Sequence, residues 1–295
     1  MSKNFKIEYI IFIPLILLVL HSLNSKINIF VIGNELTFIS IVIACATIEF
    51  FIRKAKNGEE IYMRPISAMK AMEEAVGRAT EMGNSVLYVP GISGLDEIDT
   101  ISGVIILGHI AGMTAEYEAD LHVPCCVPIV MEAARESCKE SYLKKGRPDL
   151  YNDSMVHYVT DDQFAYAAGV NGIMLREKPA AVFYQGKFYA ESLLLAETGS
   201  SIGAIQIAGT GSSSQIPFFV TACDYVLIGE EFYAASAYLS GSPEMIGSIK
   251  GQDYVKLLCM IFILVVVILS IFNYLTFSAV DISTIFKINI MDGIK

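Results

Sequence analysis

The chain has 295 residues, 54 % of them hydrophobic and 11 % aromatic, a net charge of −10 and a mean hydropathy of +0.51. Residues 57–252 hold twelve Lys/Arg against twenty-five Asp/Glu, a net −13, whereas 1–56 hold six against three and 253–295 three against three. The aromatic content excludes a disordered chain, the hydropathy excludes a plain soluble enzyme, and the acidic middle excludes broad attraction to nucleic acid or anionic lipid.

In chain order, the first apolar stretch is Tyr9 to Leu23, YIIFIPLILLVLHSL, preceded by Lys3 and Lys6. No small-residue cleavage site follows, and a second apolar stretch arrives soon after, so it reads as an uncleaved anchor and not a signal peptide. The second stretch is Leu36 to Ile52, with Glu49 near its end. Each is read as a transmembrane helix, because apolar segments approaching 20 residues satisfy their own backbone in lipid. Together they make 1–56 an N-terminal membrane anchor.

From Arg64 to Met82, apolar residues recur every three or four positions between Pro65 and Gly83, which predicts an amphipathic helix. Short β-branched or aromatic runs then alternate with helical patterns. Strands are predicted at 86–89, 123–127, 155–159, 180–184, 204–208 and 225–228, and helices near 97–119, 129–145, 161–176, 188–198, 213–222 and 231–239. This rhythm predicts an α/β domain over 57–252, with a Rossmann-like, mostly parallel sheet and helices on both faces. Ile101 to Met113 is uncharged but only thirteen residues long and flanked by acidic residues. It is read as a buried core helix, too short to span.

Ligands of open α/β sheets bind beyond the carboxyl ends of the strands. Two glycine-rich stretches are expected there: Gly91, Ser93 and Gly94 after the first strand, and Gly209, Thr210, Gly211 and Ser212 after the fifth. Glycines let a backbone approach an anion, and hydroxyls donate to it. Neither stretch completes a dinucleotide fingerprint, a P-loop or a GxSxG elbow, and a capped Ser/Thr/Gly turn explains the second equally well. Asp161 follows the third strand as a further ligand candidate, with helix capping as its structural alternative. Glu197 and Asp224 lie in apolar, glycine-punctuated surroundings where a buried carboxylate would matter. The histidines lack HxxxH or HExxH spacing and the cysteines lack CxxC spacing, so no metal site is assigned, and Cys125-Cys126 reads as a buried apolar pair. No catalytic residue and no cofactor is assigned.

The third transmembrane segment occupies 253–277, uncharged from Leu257 to Phe277, and leaves a tail at 278–295. Lys3, Lys6, Arg53, Lys54, Lys56, Lys250 and Lys256 flank the segments on one side. The positive-inside rule then gives a multi-pass protein of the cell membrane, with its main domain cytoplasmic and its tail outside.

The runs REKPAA at 176–181, FYAESLLLAETG at 188–199, GAIQIAGT at 203–210 and FYAASAYLS at 232–240 resemble a family of uncharacterised archaeal and bacterial membrane proteins carrying a domain of unknown function. The resemblance implies the membrane-flanked architecture and no particular activity. Two functions fit these readings. One is a self-associating scaffold or binding module without its own catalysis, with the lipid bilayer and further copies of the chain as partners and no nucleic acid. The other is a membrane-bound enzyme or sensor holding a phosphorylated or nucleotide-like small anion at the loops after the strands. A channel fits less well, since Glu49 is the one acidic residue embedded in the segments and lies near an interface.

Overall fold

The computed structural model describes residues 35–59, 61 and 66–276. Contacts divide these into two units, one formed by the described residues of 1–61 and 247–295, the other by those of 62–246.

The second unit begins with α2 (Ser67–Met82), preceded in the chain by α1 (Glu35–Lys56) of the first. Ala68, Ala71, Met72, Ala75, Val76 and Ala79 form the buried stripe of α2, and Gly83, at φ 67°, ends the helix with its N–H on the carbonyls of Ala79 and Thr80. Only a residue tolerant of the left-handed region closes a helix this way. There follow β1 (Val86–Val89), α3 (Ile98–Tyr117), β2 (Leu121–Cys125), α4 (Pro128–Lys144), β3 (Val156–Tyr158) and α5 (Gln163–Glu177). The order continues with β4 (Ala181–Gln185), α6 (Glu191–Ser201), β5 (Ile205–Thr210), α7 (Ile216–Ala222), β6 (Tyr225–Ile228) and α8 (Glu230–Ser240). The unit boundary falls inside the last described helix, α9 (Pro243–Thr276).

All six strands are parallel, in the order β3-β2-β1-β4-β5-β6, which is the doubly wound, Rossmann-like arrangement. Strand residues alternate between two cores. Val86 and Tyr88 of β1 face α2, α3, α4 and α8, while Leu87 and Val89 face α5, α6 and α7. Central strands buried on both faces read as continuous apolar runs. The observed strands lie within about two residues of those expected, with one consequential shift: β5 extends to Thr210, so Gly209 and Thr210 belong to the strand and not to the loop after it.

Two described helices, not three, are long and apolar enough to cross a membrane: Ile98–Tyr117 and Pro243–Phe272. The first is α3, with 67 % of its apolar stretch buried, so it is the core helix expected there; Gly103 lets it approach β4, because a β-carbon would stand 2.6 Å from the Gln185 carbonyl oxygen. The second belongs to α9, whose stretch has a mean hydropathy of 3.1 and is 0 % buried. By length and composition this stretch is apolar enough on all sides to cross a membrane. From Leu257 to Thr276 it runs twenty uncharged residues, about 30 Å, the thickness of the hydrocarbon core.

The expected segment Tyr9–Leu23 lies outside the described residues. Leu36–Ile52 falls in α1 but is not a full span: only thirteen uncharged residues separate Glu35 from Glu49, about 20 Å of helix. Its neighbours give the reason for this correction. A β-carbon on Gly251 would stand 2.6 Å from the Ile48 Cα, one on Gly247 would stand 2.8 Å from the Ile52 N, and Phe51 stacks on Tyr254 at 4.5 Å. This antiparallel register sets the second half of α1 beside the charged start of α9, where Lys250, Asp253 and Lys256 lie, and not beside its apolar part.

Candidate functional site

In this strand order β1 and β4 are neighbours whose following helices leave to opposite faces, so their carboxyl ends form the topological switch point. Here the two loops close on each other backbone to backbone. The Ile92 N–H donates to the Lys187 carbonyl at 3.1 Å. A β-carbon on Gly91, at φ 74°, would stand 2.6 Å from that same oxygen, and one on Gly186 would stand 2.8 Å from the Pro90 oxygen. Lys187 Nζ donates to Glu97 Oε1 at 2.6 Å across the two loops, and this carboxylate holds the amine above its ordinary range. The loops after β1 and β4 are thus joined by main-chain contact at the switch point, where doubly wound sheets hold dinucleotides.

The residues expected to bind a ligand divide into three places. Gly91 lies in the loop closure, the Ser93 carbonyl accepts from Thr100 Oγ1 at 3.3 Å, and Gly94 packs so closely that a β-carbon would stand 2.6 Å from Asp96 Oδ1. Gly209 is buried in β5, where a β-carbon would collide with Gln185 Oε1 and stand 2.7 Å from the Phe232 ring. Gly211 leaves room for the Tyr233 hydroxyl, which donates to Asp99 Oδ1. Thr210 Oγ1 accepts from the Ser212 N–H at 3.2 Å, and Ser212 Oγ pairs with Ser214 Oγ at 3.2 Å. Asp161 is exposed beside Asp162, whose carboxylate caps α5 by accepting from the Ala165 N–H at 2.8 Å. These places follow β1, β5 and β3, so the outermost are four strand spacings apart, about 19 Å. One small ligand does not touch all of them.

The buried carboxylates are others than Glu197 and Asp224, both of which are exposed. Among the described residues they are Asp99, in the first turn of α3, and Glu191, in the first turn of α6. Glu191 accepts from the Tyr189 N–H at 2.9 Å and from Gln163 Nε2 at 2.5 Å. Burial, helped by Asp161, Glu191 and Asp162, pushes the Cys126 thiol up to about 11, which keeps it protonated and a poor nucleophile. Gln185, at the end of β4, is fully buried and donates from Nε2 to the Ile207 carbonyl at 3.1 Å. The sequence signal for Asp99, Lys187 and Glu191 was their position just after a strand; nothing local marked them as buried or paired.

Residues 25–281 match the family described as Domain of unknown function (DUF6754). The chain belongs to this family. The match runs from before α1 to beyond α9 and so takes in the sheet and both flanking helices. No curated protein and no solved structure matches the chain.

Proposed function

We propose that this DUF6754 chain is a membrane-anchored module whose α/β domain binds or assembles proteins and performs no catalysis of its own. The observation that carries the reading is the backbone-to-backbone contact of the two switch-point loops around Gly91, Gly186 and Lys187, where open α/β sheets otherwise part to admit a ligand. The all-round exposure of the apolar stretch of α9 supports the anchor. Arg53, Lys54, Lys56, Lys250 and Lys256 favour a domain in the cytoplasm, with 278–295 on the far side.

The test is the mass of the full chain in detergent by light scattering, together with crosslinked partner capture from its own membranes. A single defined oligomer or a reproducible partner supports the proposal, whereas a monomer that captures nothing sinks it. Thermal melting with nucleotides and sugar phosphates addresses the alternative. A ligand that raises the melting temperature in proportion to its concentration would replace the scaffold reading with a small-molecule one. For orientation, a cysteine at exposed Glu81 is expected to react with a membrane-impermeant maleimide only after the cells are opened.

A further inference from the structure

A parallel sheet brings every strand's carboxyl end, and the first turn of each helix that follows, to one edge. Acidic residues there have a local cause, since carboxylates near helix N-termini offset the macrodipole. Apolar residues in the same turns have no such cause. Ile98 of α3, Ile129 of α4, Phe164 of α5, Leu194 of α6, Phe218 of α7 and Ile228 at the end of β6 are nonetheless 39–61 % exposed. Thus each helix that connects two strands presents a large apolar side chain in its first turn. At about 200 Å² for a large side chain, six such half-exposed residues offer on the order of 600 Å². That approaches the roughly 800 Å² each partner contributes to a standard interface.

We propose that this edge docks a basic, amphipathic segment of another protein, a reading that rests on the binding-module function above. The apolar side chains meet the segment's apolar face, and Asp96, Asp161 and Glu231, on the loops and first turns of the same edge, meet its Lys and Arg residues. Charge chooses the occupant. A second copy would set acidic edge against acidic edge, and anionic lipid or nucleic acid would be repelled for the same reason.

The test uses the full chain in phosphatidylcholine nanodiscs, with empty nanodiscs as the blank. Binding of a fluorescent helical Leu/Lys peptide is read by anisotropy, and a Leu/Glu peptide of the same pattern serves as the charge control. Ile129→Ser with Phe164→Ser alters the proposed edge; Leu143→Ser with Leu175→Ser makes the same kind of change at exposed positions on the opposite ends of the same two helices. The expected result is salt-sensitive binding of the Leu/Lys peptide that weakens by about tenfold or more in the first variant, a hot-spot-sized loss, and by less than about twofold in the second. Equal effects in both variants, no peptide binding, or equal binding of the Leu/Glu peptide would overturn the proposal. So would loss of an oligomer in the first variant, which would give the edge to a second copy. Each of these outcomes leaves the binding-module reading to be judged separately by the mass and capture experiment.

Discussion

Gly91, Gly209 and Gly211 were candidates for holding a ligand because glycine lets a backbone approach one closely. In the fold, each admits another part of the same chain: the Lys187 carbonyl, the Gln185 side chain and the Tyr233 hydroxyl. Gly91→Ala places a β-carbon against backbone at a positive φ, so it is expected to destabilise by about 1–3 kcal/mol, read as a lower melting temperature with no ligand present. Gly77→Ala is the contrasting case. It lies within α2 with nothing within 4 Å of a β-carbon, and is expected to stabilise by about 0.5–1 kcal/mol. If both substitutions lower the melting temperature alike, steric closure at Gly91 is not the cause. A lost phenotype in Gly209→Val would not reveal a ligand site either, because that substitution disturbs the core at Gln185 and Phe232 first.

Among the elements, α1 and α9 pack through Gly247 and Gly251, four residues apart on one helix face, in the small-xxx-small manner that brings helix backbones together. Gly251→Leu is expected to push α1 away at Ile48 and to abolish a disulfide engineered between these helices, while Ser270→Leu, on the exposed part of α9, leaves that crosslink intact. Val266 lies near the middle of the uncharged stretch of α9. Val266→Lys adds a charge costing roughly 2.5–3.5 kcal/mol at the centre of a spanning helix, and is expected to reduce the fraction of chain resisting alkaline carbonate extraction. Unchanged extraction in a chain that also lacks the apolar stretch Tyr9–Leu23 would mean that α9 does not cross the bilayer.

For the whole molecule, buried titratable groups set a pH window. Burial lowers the basicity of His109 and His157 from 6.5, so the unfolded chain takes up protons first and stability falls as pH drops below about 6.5. The thiol of Cys126 is pushed up from 9.0 to about 11, and those of Cys125, Cys138 and Cys223 to about 12, in each case mainly by burial. The unfolded chain therefore loses protons first above pH 9, so the thiols' contribution to stability is full below 9 and declines as pH rises towards 11 and 12. Thermal melting against pH is expected to show a plateau between about 6.5 and 9, with His109→Gln flattening the acid limb and Cys138→Ala the alkaline one. A melting temperature still rising beyond pH 10 would contradict the burial of these thiols.

Most of the local order was legible in the sequence: the alternation of strands and helices, β1 at Val86–Val89, the amphipathic pattern of α2, the acidic middle and the apolar run of α9. Period, composition and turn residues act over a few positions, and those signals survive without knowledge of neighbours. They also identified α3 as a core helix, because the thirteen-residue apolar segment Ile101–Met113, set between acidic flanks, is too short to span. Tertiary structure alone decided the strand order, which loops meet, and what each glycine faces. It moved Gly209 and Thr210 into β5, buried Asp99 and Glu191 while leaving Glu197 and Asp224 exposed, and set α1 against the charged part of α9. Those outcomes depend on pairings between residues tens of positions apart, as between Tyr233 and Asp99 or Lys187 and Glu97, and local periodicity carries no record of such pairings.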